Sequence, residues 1–238
     1  MPEIDLDSEL LDYLVQQGFQ PGDRLPTINE LQSPEHLGIS ISKVREQLEV
    51  ARALGFVEVR SKTGMKMKPY SFTPAVRLSL FFALALDIHS FELFSELRNH
   101  IEVAFLEEAG RKLLDEDKAE LRQCIASAYA KLNAHQNGGH IRIPHEEHRT
   151  FHLSIFKRLE NPFVMGILEA YWDGYSAVEL NRYTDYDYLQ QVWQYHERMF
   201  DAICAGDYES ARQLFMEHAH LIRNQPGMQS IAVSPSEK

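Results

Sequence analysis

Through most of the chain apolar positions recur every three to four residues, but between Phe56 and Lys68 they alternate. That change of period predicts two short strands, Phe56 to Arg60 and Met65 to Lys68, joined around Lys62, Thr63 and Gly64. Upstream, Leu10, Leu11, Leu14 and Val15 stand at helical spacing and predict a first helix over residues 4–17, with Gly18 as its stop. The run PGDRLP follows as a rigid turn, and Thr27 with Glu30 forms a capping box that opens a short second helix through Leu31. Ser40 is the N-cap of a third helix reaching Leu54, which Gly55 ends. Its apolar face carries Val44, Leu48 and Leu54, while Ser42, Lys43 and Arg45 face outward. Three helices and a basic hairpin make a winged helix-turn-helix.

A break at Pro69 to Thr73 sets this domain, residues 1–70, apart from a second one, 71–225. There Thr73 is read as an N-cap with Pro74 at the first helical position, opening a helix to about Leu86. That helix is apolar almost all round, so it is expected to be buried or to lie against another subunit. Ser90 is read as the next cap, with Leu93, Phe94, Leu97, Ile101, Ala104 and Phe105 as a core stripe. Asp115 opens another helix through Leu121, Ile125, Ala128 and Leu132, and Asn137 to Gly139 ends the connection after it. A helix around His148, one over 162–182, and a helical hairpin turning at Gly206 and Asp207 complete an all-helical bundle of about seven helices. The segment Thr184 to Tyr188 reads as a solvated loop and residues 226–238 as a disordered tail.

The chemistry lies in the stretch PHEEHRTFHLSIFKRLEN, residues 144–161, where His148 and His152 are four apart on an apolar helical frame. Imidazoles at i and i+4 share a helix face and reach a common ion from successive turns. In the hairpin, His196 precedes Gly206 by ten residues and His218 follows Asp207 by eleven. At about 1.5 Å per residue, both lie about 15 to 17 Å from the turn and face each other at one level. His220, about 200° round the helix from His218, is expected to point away. Four imidazoles suit zinc, nickel or copper rather than magnesium or calcium, with zinc or nickel favoured.

Composition narrows the function. The 238 residues carry a net charge of -11, which argues against a general polyanion binder. Between Ser40 and Lys68, however, Lys43, Arg45, Arg52, Arg60, Lys62, Lys66 and Lys68 outnumber Glu46, Glu49 and Glu58. A basic island on an acidic body is what selective contact with duplex DNA requires. The longest apolar run, Leu78 to Leu86, falls far short of the ~20 residues a membrane span needs. Cys124 and Cys204 make no disulfide framework. A cytoplasmic protein with no membrane association is expected.

PGDRLPTINEL, LGISISKVREQLEVARALGFVEVR and the Gly64 hairpin resemble the DNA-binding domain of GntR-type bacterial transcription regulators, over nearly all of residues 6–68. LFSELRNHIE, the His148 to Asn161 stretch and the His196 to His218 hairpin are similar to the FadR-type effector domain called FCD. The chain departs from these patterns at Ile41 and Asn29, where Arg is usual, in two extra residues within Gln32 to His36, and at His148, where the family has Asp. The resemblance implies a homodimer on a near-palindromic operator, with Thr27, Ser40, Ser42, Lys43, Arg45, Lys62, Gly64 and Lys66 at the DNA. It further implies that His148, His152, His196 and His218 hold a divalent metal, and that Arg98 and Asn161 receive a small organic acid. For Arg98 the plain alternative is an i, i+4 pair with Glu102. Trp172, Tyr175, Trp193 and Tyr195 read as core aromatics, with pocket lining as the alternative. A His-ligated metalloenzyme is the rival class, but Glu146 and Glu147 precede His148 and no H-E-x-x-H arrangement supplies a base, so an enzyme is not expected. A purely structural metal site is the third reading.

Overall fold

A computed structural model describes residues 4–62, 64–134, 142–179 and 185–223, apart from the side chains of His220, Ile222 and Arg223. The expectations for Asn137 to Gly139, Thr184, the His220 side chain and the tail from 226 lie outside the described residues. The molecule is mainly α, with ten α-helices and one two-stranded sheet among those residues. It divides into two compact units, Met1–Leu78 and Ser79–Lys238.

In the first unit the caps decide where helices begin. Helix α1 spans Glu9–Gln16, shorter than the apolar spacing suggested, because Ser8 accepts a hydrogen bond from Leu11 N and so fixes the first turn. Leu10 and Leu14 are buried, whereas Val15 is exposed. The capping box of Thr27 and Glu30 opens α2 (Ile28–Leu31), and Ser40 caps α3 (Ile41–Ala53) by accepting from Lys43 N. Val44, Leu48 and Ala51 bury the inner face of α3 against Leu10, Leu14 and Leu31. Strands β1 (Val57–Arg60) and β2 (Gly64–Met67) pair antiparallel with Val57 opposite Met67 and Arg60 opposite Gly64. Gly64 has φ +79°, a conformation that favours glycine.

Helix α4 (Thr73–Leu86) begins with Thr73 already inside its first turn, and Ser71 Oγ accepts from Thr73 N. Leu80 is its buried residue, while Leu78, Phe82 and Leu86 are exposed. In the second unit α5 (Ser90–Lys112) likewise starts one residue earlier than the Ser90 cap implied, with His89 at the N-cap. Its buried face also differs from the expected stripe. Leu93 and Leu97 are 72% and 47% exposed, and the residues turned inward are Phe91, Ser95, Arg98, Glu102, Leu106 and Ala109. The polar pair Arg98 and Glu102 lies inside, ion-paired with each other and facing His152 and the Tyr171 ring, and that information is not local to the segment.

Helix α6 (Asp115–Asn133) buries Leu121, Cys124, Ile125, Ala128 and Leu132. Helix α7 (His145–Phe156) runs into a 3-10 turn, Lys157–Leu159, and Asn161 caps α8 (Pro162–Ala177), which ends before the predicted 182. Helix α9 (Tyr186–Ala205) takes up most of the expected acidic loop, because Asp185 accepts from Tyr188 N and serves as its N-cap. Gly206 stops α9 with φ +73°, Asp207 accepts from Ser210 N, and α10 (Tyr208–Arg223) returns antiparallel. Gly206→Ala should cost about 1 to 2 kcal/mol, the penalty of a Cβ in a left-handed residue. Thermal denaturation would read this as a lowered midpoint, and an unchanged midpoint would mean the hairpin tolerates the strain.

Candidate metal centre

His148 and His152 leave α7 on successive turns, and His196 of α9 and His218 of α10 come in from the hairpin. All four are buried. The structure brings one ligand atom from each to within 4.8 Å of every other. Ring centroids are 4.5 Å apart for His196 and His218, 4.8 Å for His148 and His196, and 5.1 Å for both His148 with His152 and His152 with His196.

The donor set fits a transition metal on two counts. His148 Nε2, His196 Nδ1 and both nitrogens of His218 are buried without a hydrogen-bond partner, and an unsatisfied buried polar atom costs about 1 to 3 kcal/mol. Nitrogens bound to one ion at about 2.0 to 2.1 Å lie no more than about 4.2 Å apart, so closure on an ion needs shifts on the order of 0.5 Å. Burial also holds His148, His152 and His196 well below the usual imidazole pKa and pushes His218 down to about 3. The rings are therefore neutral and able to ligate near neutral pH.

Around this cluster is a second layer. Arg98 Nη2 donates to His152 Nδ1 at 2.8 Å and Nη1 to Asn99 Oδ1 at 3.1 Å, and its guanidinium lies 4.5 Å from the Tyr171 ring centroid. Glu102 Oε1 lies 3.1 Å from the same His152 Nδ1. Its other oxygen is 2.6 Å from Arg98 Nε, an ion pair in which neither atom is in hydrogen-bonding geometry. Burial pushes the Glu102 carboxyl up to about 8, against the pull of the Arg98 guanidinium. Trp172 and Trp193 pack on His148 and His196, each with ring centroids 4.7 Å apart, and the indole N–H of each is buried without a partner. Tyr175 lies 6.3 Å from His148, so three of the four predicted core aromatics are buried and also line the imidazole cluster.

Asn161 uses its side-chain oxygen to accept from Phe163 N and Val164 N as the α8 cap. Glu147 is turned to Lys131 and Ser127, away from any role as a base beside the cluster. The contact of Glu102 with His152 escaped the sequence reading. Its only signal was the i+4 spacing from Arg98, which reads equally well as an ordinary surface pair.

The predicted DNA residues lie in the first unit. Thr27, Ser40, Ser42, Lys43, Arg45, Lys62 and Lys66 are exposed and Gly64 is half-buried. Thr27 and Ser40 are engaged as caps, Ser42 Oγ is 3.0 Å from Ser40 Oγ, and Lys43 forms an ion pair with Glu9 of α1. Glu49, the i+4 neighbour of Arg45, pairs instead with Arg52 at 2.7 Å.

Residues 93–221, more than half of the chain, match the FCD domain model. Curated relatives include an uncharacterised HTH-type transcriptional regulator, YcbG, of Bacillus subtilis, 23% identical over 91% of this chain and 86% of that protein. The HTH-type transcriptional regulator LutR of the same organism is 23% identical over 84% of this chain and 90% of its own. The Uxu operon transcriptional regulator of Escherichia coli is 22% identical over 93% and 85%. Among solved structures, Streptococcus agalactiae GntR has a similar fold, with a TM-score of 0.64 at 18% identity over 90% of this chain and 95% of that one.

Proposed function

The chain belongs to the FCD-domain family of GntR-type transcription regulators, and from that premise we propose that it reads an operator as a metal-dependent sensor of a small organic acid. The observation that carries this reading is the group of four buried imidazoles with unsatisfied nitrogens. His148, His152, His196 and His218 would hold a divalent ion, zinc or nickel, which when bound would supply a Lewis-acid seat for a carboxylate oxygen. Arg98 offers the acid a second, charged contact. No helix among the described residues is long and apolar enough to cross a membrane, and the protein acts in the cytoplasm.

In the first unit, Arg45 of α3 and Lys66 of β2 project from the surface on the element that enters a major groove and on the wing beside it. One winged helix reads few base pairs. A homodimer on a near-palindromic site doubles that number and sets the half-site spacing near one turn of DNA.

The test is affinity for operator-length genomic DNA over a range of salt. Arg45→Ala and Lys66→Ala should each weaken binding, lowering the salt slope by about one unit for a lost phosphate contact or costing about 1 to 3 kcal/mol for a lost base contact. Unchanged affinity in both variants, or no preference of the wild type for any genomic fragment, would end the operator reading.

A further inference from the structure

His152 Nδ1 has two suitors of opposite kind. Arg98 Nη2, 2.8 Å away, is a donor only, so it needs a lone pair on that nitrogen. The Glu102 carboxylate, the form that the neighbouring Arg98 guanidinium favours, has Oε1 3.1 Å away and only accepts, so in that form it needs a proton there. A neutral imidazole nitrogen has one or the other, never both, and the two contacts cannot be made together. At the far side of the same ring Nε2 lies 3.1 Å from His196 Nε2, and one of those two atoms must carry the proton they share.

Two arrangements satisfy the chain of contacts. In the first, Arg98 donates to Nδ1, and the proton on Nε2 is donated to His196. In the second, Nδ1–H donates to Glu102, and Nε2 is left with a lone pair. The ring is neutral in both, and only the position of one proton differs. Without an ion the shorter Arg98 contact favours the first arrangement. An ion on Nε2 takes that nitrogen's lone pair and requires the second.

Building on the metal reading above, we propose that Glu102 is a positioning residue and that the His152 tautomer couples metal occupancy to release of Arg98. In the metal-free protein the Nη2 of Arg98 is spent on His152. Once Nε2 ligates, the proton sits on Nδ1, Glu102 accepts it, and Arg98 Nη2 faces an N–H it cannot bond. That Nη2 is then free to receive a carboxylate, while Nη1 stays on Asn99, Nε stays beside Glu102 and the Tyr171 ring holds the guanidinium near the site. A carboxylate behind a ligating imidazole also raises its donor strength, and losing such a partner typically weakens metal binding about 10- to 100-fold. Linkage makes the coupling reciprocal, so a carboxylate that engages Arg98 favours the metal-bound tautomer.

The experiment is nitrogen-15 NMR of the His152 ring in the metal-free full-length protein, together with zinc competition against a chromophoric chelator. Wild type should show an unprotonated Nδ1, and Arg98→Met should move the proton to Nδ1. Arg98→Leu serves the same comparison should Arg98→Met fail to fold. Glu102→Gln should keep zinc at one equivalent but bind it at least tenfold more weakly. A protonated Nδ1 in metal-free wild type, the same tautomer in wild type and the Arg98 variants, or zinc affinity within twofold of wild type in Glu102→Gln would each overturn the proposal. Failure of wild type to take up zinc would instead sink the metal reading, and the NMR arm would still decide between Arg98 and Glu102.

Discussion

Alanine at His152 or His196 should abolish stoichiometric zinc or nickel in the purified protein. Each of these rings is central to the cluster, with its nearest imidazole partners at centroid distances of about 5 Å, and neither can be replaced by a side chain from the surrounding aromatic wall. Removing one of four ligands also leaves a cavity among buried rings, so both the donor count and the geometry are lost. His148→Asp should retain metal, because a carboxylate is a competent ligand at that position. It should weaken an anionic effector, since the added negative charge offsets part of the ion's attraction. His89→Ala is the control, a half-buried histidine at the start of α5 whose Nδ1 lies 3.7 Å from Glu92 Oε1. Elemental analysis of the four variants decides the matter. Full metal content in both His152→Ala and His196→Ala, or its loss in His89→Ala, would refute the assignment.

The second large effect is acid lability of the helical unit. Burial depresses the folded-state pKa of all four ring systems below the unfolded value near 6.5, to about 3 for His218. The sign follows from linkage. As pH falls below 6.5 the unfolded chain takes up protons that the folded one refuses, so the contribution to stability is complete above 6.5 and is lost progressively down to about 3. At pH 5.5 that amounts to on the order of 1 kcal/mol for each imidazole, and for four it approaches the whole stability of a domain. Bound metal competes with the same protons and leaves over the same interval. Thermal melts of the metal-free protein should therefore show the midpoint falling steeply between pH 7 and 5. A midpoint unchanged over that range would mean the rings are hydrated or already charged in the native state.

The sequence alone determined whatever depends on a few neighbouring residues. Thr27 with Glu30, Ser40, and the Gly206–Asp207 turn specified helix ends through bonds made within one turn, and each is present in the structure. The meeting of four imidazoles was legible because helix geometry is rigid. A spacing of four fixes a shared face, and equal distances from a tight turn fix a shared height. Where caps competed with apolar spacing, the spacing misled, as at the start of α1, where Ser8 prevailed over Leu6 and Ile4. Tertiary structure alone decided which face of α5 is inside. Leu93 and Leu97 look like core and are exposed, while Arg98 and Glu102 look like a surface pair and are 1% and 0% exposed. The reason is that a buried charge is tolerable only among partners, and those partners, His152 of α7 with Tyr171 and Trp172 of α8, lie more than fifty residues away along the chain and are brought to Arg98 only by packing of the helices.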